Sequence, residues 1–138
     1  PKIHKPTCPV RPIVSMTASP QYSISKWLCR LLKVVEEHYC QHTVKDSFDF
    51  VEKLRARPVP THSHMCSFDV VSLFTNVPLE ETIDICADVL YRVDEVDTPW
   101  LPECAFRRLM LLVTTGVEFS FNDVMYKQID GVAMGSPL

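Results

Sequence analysis

Apolar and polar residues recur along this chain with two periods, and turn-forming residues mark the places where one period gives way to the other. Pro1, Pro6, Pro9 and Pro12 interrupt any helix in the opening stretch, so it is expected to be an extended basic loop leading into a short strand, Ile13–Met16. Ser19-Pro20 has the form of an N-cap followed by proline at the first helical position. Ile24, Leu28, Leu31, Leu32 and Val35 then make one apolar stripe, so a helix is expected to about His38. A second helix is expected from Asp46 or Ser47, with Phe50, Val51 and Leu54 facing inward. It cannot pass Pro58, which has no amide proton to donate.

The segment Met65–Val71 is apolar and rich in β-compatible residues, and it predicts a largely buried strand with one carboxylate, Asp69, near its end. Pro78 opens a helix in which Leu79, Ile83, Cys86, Ala87 and Leu90 share a face, and Glu80 and Glu81 suit the partial positive charge of its first turn. A further helix is expected over about Pro102–Thr114, stopped by Gly116. Val117–Phe121 and Val124–Gln128 flank Asn122-Asp123 and predict a hairpin. Ser136-Pro137 reads as the start of a helix that does not follow, and the first residue is Pro. The natural chain is therefore expected to extend beyond both ends.

Composition narrows the class. With 138 residues, 46% apolar and 22% charged, and a mean hydropathy of +0.04, the chain suits one modest domain with one core. The longest purely apolar run is Leu109–Val113, far below the ~20 residues of a membrane span, and no charged-then-apolar leader opens the sequence. An intracellular protein without membrane partners is expected. The six cysteines include no C-x-x-C pair, which is a poor zinc pattern and no disulfide framework, so reduced thiols are expected. His38/Cys40/His42 and His62/His64/Cys66 have two readings: metal clusters of an unrelated regulator, or ordinary surface histidines and buried thiols.

The net charge of −3 conceals a division. Residues 1–33 carry six Lys/Arg and no acid, whereas residues 61–138 carry four bases against twelve acids. The first part suits phosphates, and the second suits divalent cations or is simply a solvated face. Asp69 also has two readings. A carboxylate against an apolar wall is satisfied by Mg²⁺ shared with phosphates; an edge-strand aspartate faces water or caps a turn.

Phe68-Asp69-Val70-Val71-Ser72-Leu73-Phe74-Thr75-Asn76-Val77-Pro78-Leu79 resembles the first catalytic-aspartate motif of reverse transcriptases. Pro1–Pro6, Pro9–Ser15 and Gln128–Leu138 resemble the segments before and after it, in the same order and from end to end of the chain. Together they resemble the Penelope-like retroelement branch, related to telomerase reverse transcriptases. The expected fold class is α+β: a partial right-hand polymerase, fingers and palm, truncated before the second catalytic aspartate motif. Residues 1–60 would be a fingers-side basic segment with two helices, and residues 61–138 a partial palm.

The resemblance implies roles residue by residue. Asp69 matches the aspartate that bridges two Mg²⁺ ions, and the Val70 carbonyl matches a further metal ligand. The amides of Ser72 and Leu73 match those that cradle the triphosphate, and Phe74 matches the aromatic that excludes a ribose 2′-hydroxyl. Arg11 and Lys5 match finger residues that hold the incoming dNTP; Lys2 either joins that patch or is a solvated lysine. Gly131, Gly135, Ser136 and Pro137 match the block in which backbone approaches the nucleotides closely. Met134 stands where the wider superfamily often has Gln, a form typical of the Penelope-like branch, and it implies packing without polar readout.

The implied partners are an RNA template, a DNA primer and dNTPs, and the implied compartment is the nucleus. The family's aspartate pair and its endonuclease domain are not in this sequence, and Asp123 and Asp130 are poor substitutes for the pair. The segment alone is therefore expected not to polymerise DNA. A different class also fits: a non-catalytic nucleic-acid-binding module, a relic or domesticated remnant that keeps the basic surface.

Overall fold

The structure is a computed structural model and describes residues 13–57 and 60–138. The expected basic loop over Pro1–Pro12, with Lys2, Lys5 and Arg11, lies outside the described residues, as does the helix stop at Pro58. The described residues form five α-helices and one two-stranded antiparallel sheet, an α+β arrangement. In chain order these are α1 (Tyr22–Leu31), α2 (Lys33–Tyr39), α3 (Ser47–Arg55), α4 (Leu79–Arg92), α5 (Glu103–Thr114), β1 (Glu118–Phe121) and β2 (Val124–Lys127). Short 3₁₀ turns occupy Cys40–His42 and Leu73–Asn76.

The expected Ser19–His38 helix is present in two pieces and starts later. Ser19 does not cap it: its carbonyl accepts from Tyr22 N at 3.1 Å, a turn that delays the start to Tyr22, and its buried hydroxyl has no partner among the described residues. At Leu32 the path stays right-handed, and the 2.8 Å bond from Leu32 N to the Leu28 carbonyl keeps α2 nearly continuous with α1. α3 does begin as expected, because the Asp46 carboxylate accepts from the amides of Phe48 (2.8 Å) and Asp49 (2.9 Å). Asp49 is held below the usual carboxylate range by the Lys45 amide first and by Lys53 second.

The inward face assigned to α3 is a correction. Phe50, Val51 and Leu54 are exposed, because among the described residues no other element packs against this helix. The expected strand Met65–Val71 is a second correction. The segment is irregular and exposed, with Phe68 96% exposed, since the only strands among the described residues, β1 and β2, pair with each other. Among the described residues Ile13–Met16 also forms no strand and keeps one long-range backbone bond, from Val14 N to the Met134 carbonyl at 2.9 Å.

The core is helical. Leu28 of α1 and Val35 of α2 pack with Ile83, Cys86, Ala87, Val89 and Leu90 of α4 and with Phe106, Met110 and Val113 of α5. Phe106 is fully buried at its centre, and side chains of this size each stabilise the fold by about 1.5–3 kcal/mol when removed from water. Burial pushes the Cys86 thiol up, and burial first and the Glu103 charge second push up the Tyr91 phenol, which donates to the Leu101 carbonyl at 2.8 Å. α4 is further tied to α5 by two ion pairs, Arg92 to Glu103 (3.3 Å) and Arg107 to Asp84, while Arg92 also pairs with Asp88 (2.6 Å) within α4 and Arg107 with Glu103 (2.9 Å) within α5.

Gly116, at φ +67°, ends the α5 region and sends the chain into the hairpin. There Asn122 (φ 48°) and Asp123 (φ 60°) make the left-handed pair that matches strand twist, with Glu118 opposite Lys127 and Phe121 opposite Val124. Phe119 and Tyr126 stack across the strands at 5.5 Å. Met16, Val117 and Ala133 form a second small core, packed by Val14 and Tyr22. It fastens the N-terminal described segment to the C-terminal one. No helix among the described residues is long and apolar enough to cross a membrane.

Candidate functional site

The second small core decides which distant segments meet. By burying Met16 beside Ala133 it lays residues 13–16 along residues 131–135, and the Val14 amide reaches the Met134 carbonyl. Gly135, at φ +114°, permits this approach, because a Cβ there would overlap the Val14 carbonyl. Four residues earlier, Gly131, at φ +66°, lies against the turn that follows Asp69. A Cβ at Gly131 would overlap the Phe74 carbonyl and the Thr75 backbone. The adjoining Val132 amide donates to the Phe74 carbonyl at 2.7 Å. Segments 13–16, 72–76 and 131–135 therefore meet through main-chain contacts.

The 72–76 turn is fixed by its own side chains. Ser72 adopts left-handed geometry (φ 52°, ψ 48°), which a residue with a Cβ takes only when its surroundings enforce it. Its carbonyl accepts from Thr75 N at 3.1 Å, Thr75 Oγ1 at 3.0 Å and Asn76 Nδ2 at 3.3 Å. Asn76 Nδ2 also donates to the Val71 carbonyl at 2.9 Å. Thr and Asn commonly satisfy nearby backbone in this way, so the Leu73–Asn76 turn follows from local sequence once Pro78 limits the backbone of Val77.

Among the residues singled out in the sequence, Ser72, Leu73, Phe74 and Gly135 fall in or beside this junction, together with Gly131. Phe74 is partly exposed, with its carbonyl held and its ring at the surface. Asp69 and Val70 lie in the exposed irregular segment before the turn, and of the two readings of Asp69 the one against an apolar wall finds no such wall among the described residues. Arg11 and Lys5 lie outside the described residues. Thr75 and Asn76 carry the turn yet drew no role from sequence. Their signal was local: short polar side chains placed three and four residues after the left-handed position.

The donors present do not complete a magnesium centre. Asp69 and the Val70 carbonyl are two oxygen sources, whereas hard divalent cations take six or so, and no group of three or more His, Cys, Asp or Glu among the described residues could hold a metal. The same applies to His38/Cys40/His42 and His62/His64/Cys66, with Cys40 and Cys66 exposed and free rather than buried as the ordinary reading supposed. Asp123 lies in the hairpin turn and Asp130 in the loop after it, where Gln128 Nε2 donates to the Asp130 carbonyl at 2.9 Å. Comparison with models of protein families, with curated proteins and with solved structures gave no match to this chain.

Proposed function

We propose that this chain is a fingers-and-palm portion of a Penelope-like reverse transcriptase, whose parent extends a DNA primer on an RNA template with dNTPs and Mg²⁺, and whose work lies in the nucleus. One observation carries this reading. Three stretches that resemble reverse-transcriptase segments, far apart in sequence, contact one another through backbone atoms at Val14–Met134 and Phe74–Val132. The small Met16–Val117–Ala133 core holds two of these stretches together, and a nucleotide site built from all three would need that convergence. In this reading the 72–74 turn faces the triphosphate, Phe74 faces the sugar, Gly131 and Gly135 allow close backbone approach, and Lys5 and Arg11 supply positive charge.

Two metal ions in such an enzyme activate the primer hydroxyl and steady the leaving pyrophosphate. Asp69 and the Val70 carbonyl supply only part of the donor set, so no catalytic step is assigned to this chain by itself. The test uses a longer chain that includes an aspartate-pair motif. Wild type is expected to extend a primer, and Asp69→Asn to abolish extension while the circular-dichroism spectrum stays unchanged. Extension at the wild-type rate by Asp69→Asn would overturn the reading.

The exposed position of Asp69 and the incomplete donor set favour a second reading, a non-catalytic nucleic-acid-binding module. In that case the longer chain binds primer-template with an affinity that falls steeply with salt but incorporates no nucleotide.

A further inference from the structure

We propose that Asn76, assisted by Thr75, is a positioning residue for phosphate recognition: it turns the Ser72 and Leu73 amides outward by holding the carbonyls on the opposite side of the same peptide planes. The inference rests on the reading of Ser72 and Leu73 as a triphosphate cradle, and it adds the residues that make the cradle.

The geometry is specific. One carboxamide nitrogen, Asn76 Nδ2, spans two successive carbonyls, Val71 O at 2.9 Å and Ser72 O at 3.3 Å. Each carbonyl shares a planar trans peptide with the next amide, and in such a peptide C=O and N–H point in opposite directions. Drawing the Val71 and Ser72 oxygens toward Asn76 therefore directs the Ser72 and Leu73 N–H groups away from it. Among the described residues neither of these N–H groups has a protein acceptor, and both residues are exposed. Two parallel unpaired donors on adjacent residues suit the oxygens of a polyphosphate.

With Ser72 in a helical conformation of left hand the two successive planes point the same general way, and for a residue with a Cβ that conformation is unfavourable without support. Thr75 supplies that support with its amide and its hydroxyl, both on the Ser72 carbonyl. With the donors removed, the turn relaxes, and binding a phosphate must then also bear the cost of re-ordering it.

The experiment is a titration of the ¹⁵N-labelled 138-residue chain with magnesium tripolyphosphate, and in parallel with dATP, following the Ser72 and Leu73 amide resonances. Exchange protection of the Val132 amide, bonded to the Phe74 carbonyl, reports that the junction is intact. Wild type is expected to show saturable shifts at both amides. Asn76→Leu, which is uncharged and close in size, should raise the half-saturation concentration about tenfold, the effect of losing one to two net hydrogen bonds. Asn76→Gln, with a donor on a longer stem, should recover part of it.

Equal half-saturation in wild type and Asn76→Leu would overturn the role of Asn76 and leave the cradle standing. Absence of shifts at Ser72 and Leu73 in wild type would overturn the cradle and this inference together. Should Asn76→Leu lose the Val132 protection, Thr75→Val decides: weaker tripolyphosphate binding with Val132 still protected supports the proposal, and unchanged binding overturns it.

Discussion

A side chain at Gly131 would run into the backbone of the 72–76 turn, and one at Gly135 into the Val14 carbonyl, whereas one at Gly116 would meet only the flexible end of Lys127 at 3.6 Å. All three glycines have positive φ, so alanine is strained at each, but only two also face immovable main chain. Gly131→Ala and Gly135→Ala should each lower unfolding stability by roughly 1–3 kcal/mol, and Gly116→Ala by about 1 kcal/mol. Urea denaturation ranks them, and equal losses at all three would show that the junction yields freely. The resemblance singled out Gly131 and Gly135 for close backbone approach to nucleotides, whereas the approach the structure shows is to the chain's own main chain at Phe74, Thr75 and Val14. The part played by Asn76 was not legible in the sequence, because asparagine forms many kinds of turn, and which carbonyls it spans depends on the folded path of the chain.

At the scale of elements, the pattern that placed α4, α5 and the hairpin failed to place the surroundings of α3 and of residues 65–71. Hydrophobic spacing in α4 is answered by α2 and α5, so Ile83, Ala87 and Leu90 are buried as expected. The same kind of spacing in α3 finds no neighbour among the described residues, and the β-compatible run at 65–71 finds no strand to pair with. Local sequence records what a segment can do; burial and pairing need a second segment. α3 is held by its own ends, through the Asp46 cap and the Asp49–Lys53 pair at 2.9 Å. Asp46→Ala should therefore lower α3 stability by about 1 kcal/mol while the global melting temperature hardly moves. Hydrogen exchange should show faster amides in α3 alone, and an equal loss of protection in α4 and α5 would show that α3 belongs to the cooperative core.

For the whole molecule, the core joins residues on both sides of residue 60, and exposed and half-buried ion pairs link α4 to α5 as well. Glu103 is central to these pairs, facing Arg107 from its own helix and Arg92 from α4; Asp84 and Asp88 lie beyond those arginines. The Arg107 hydrogen bond first, and the Arg92 charge after it, hold the Glu103 carboxyl below its ordinary value of 4.5. A carboxyl depressed in the folded state binds protons less readily than in the unfolded chain. Its contribution is therefore complete above about pH 4.5 and is lost as pH falls through the lower folded value. Solvent screens these pairs, so the effect on melting is expected to be small and to shrink with added salt. Melting curves for wild type and Glu103→Gln should diverge above pH 4.5, with wild type higher, and converge on acidification. A gap that persists unchanged at low pH would mean that Glu103 acts by packing, and that its charge adds nothing to the joining of the two helices.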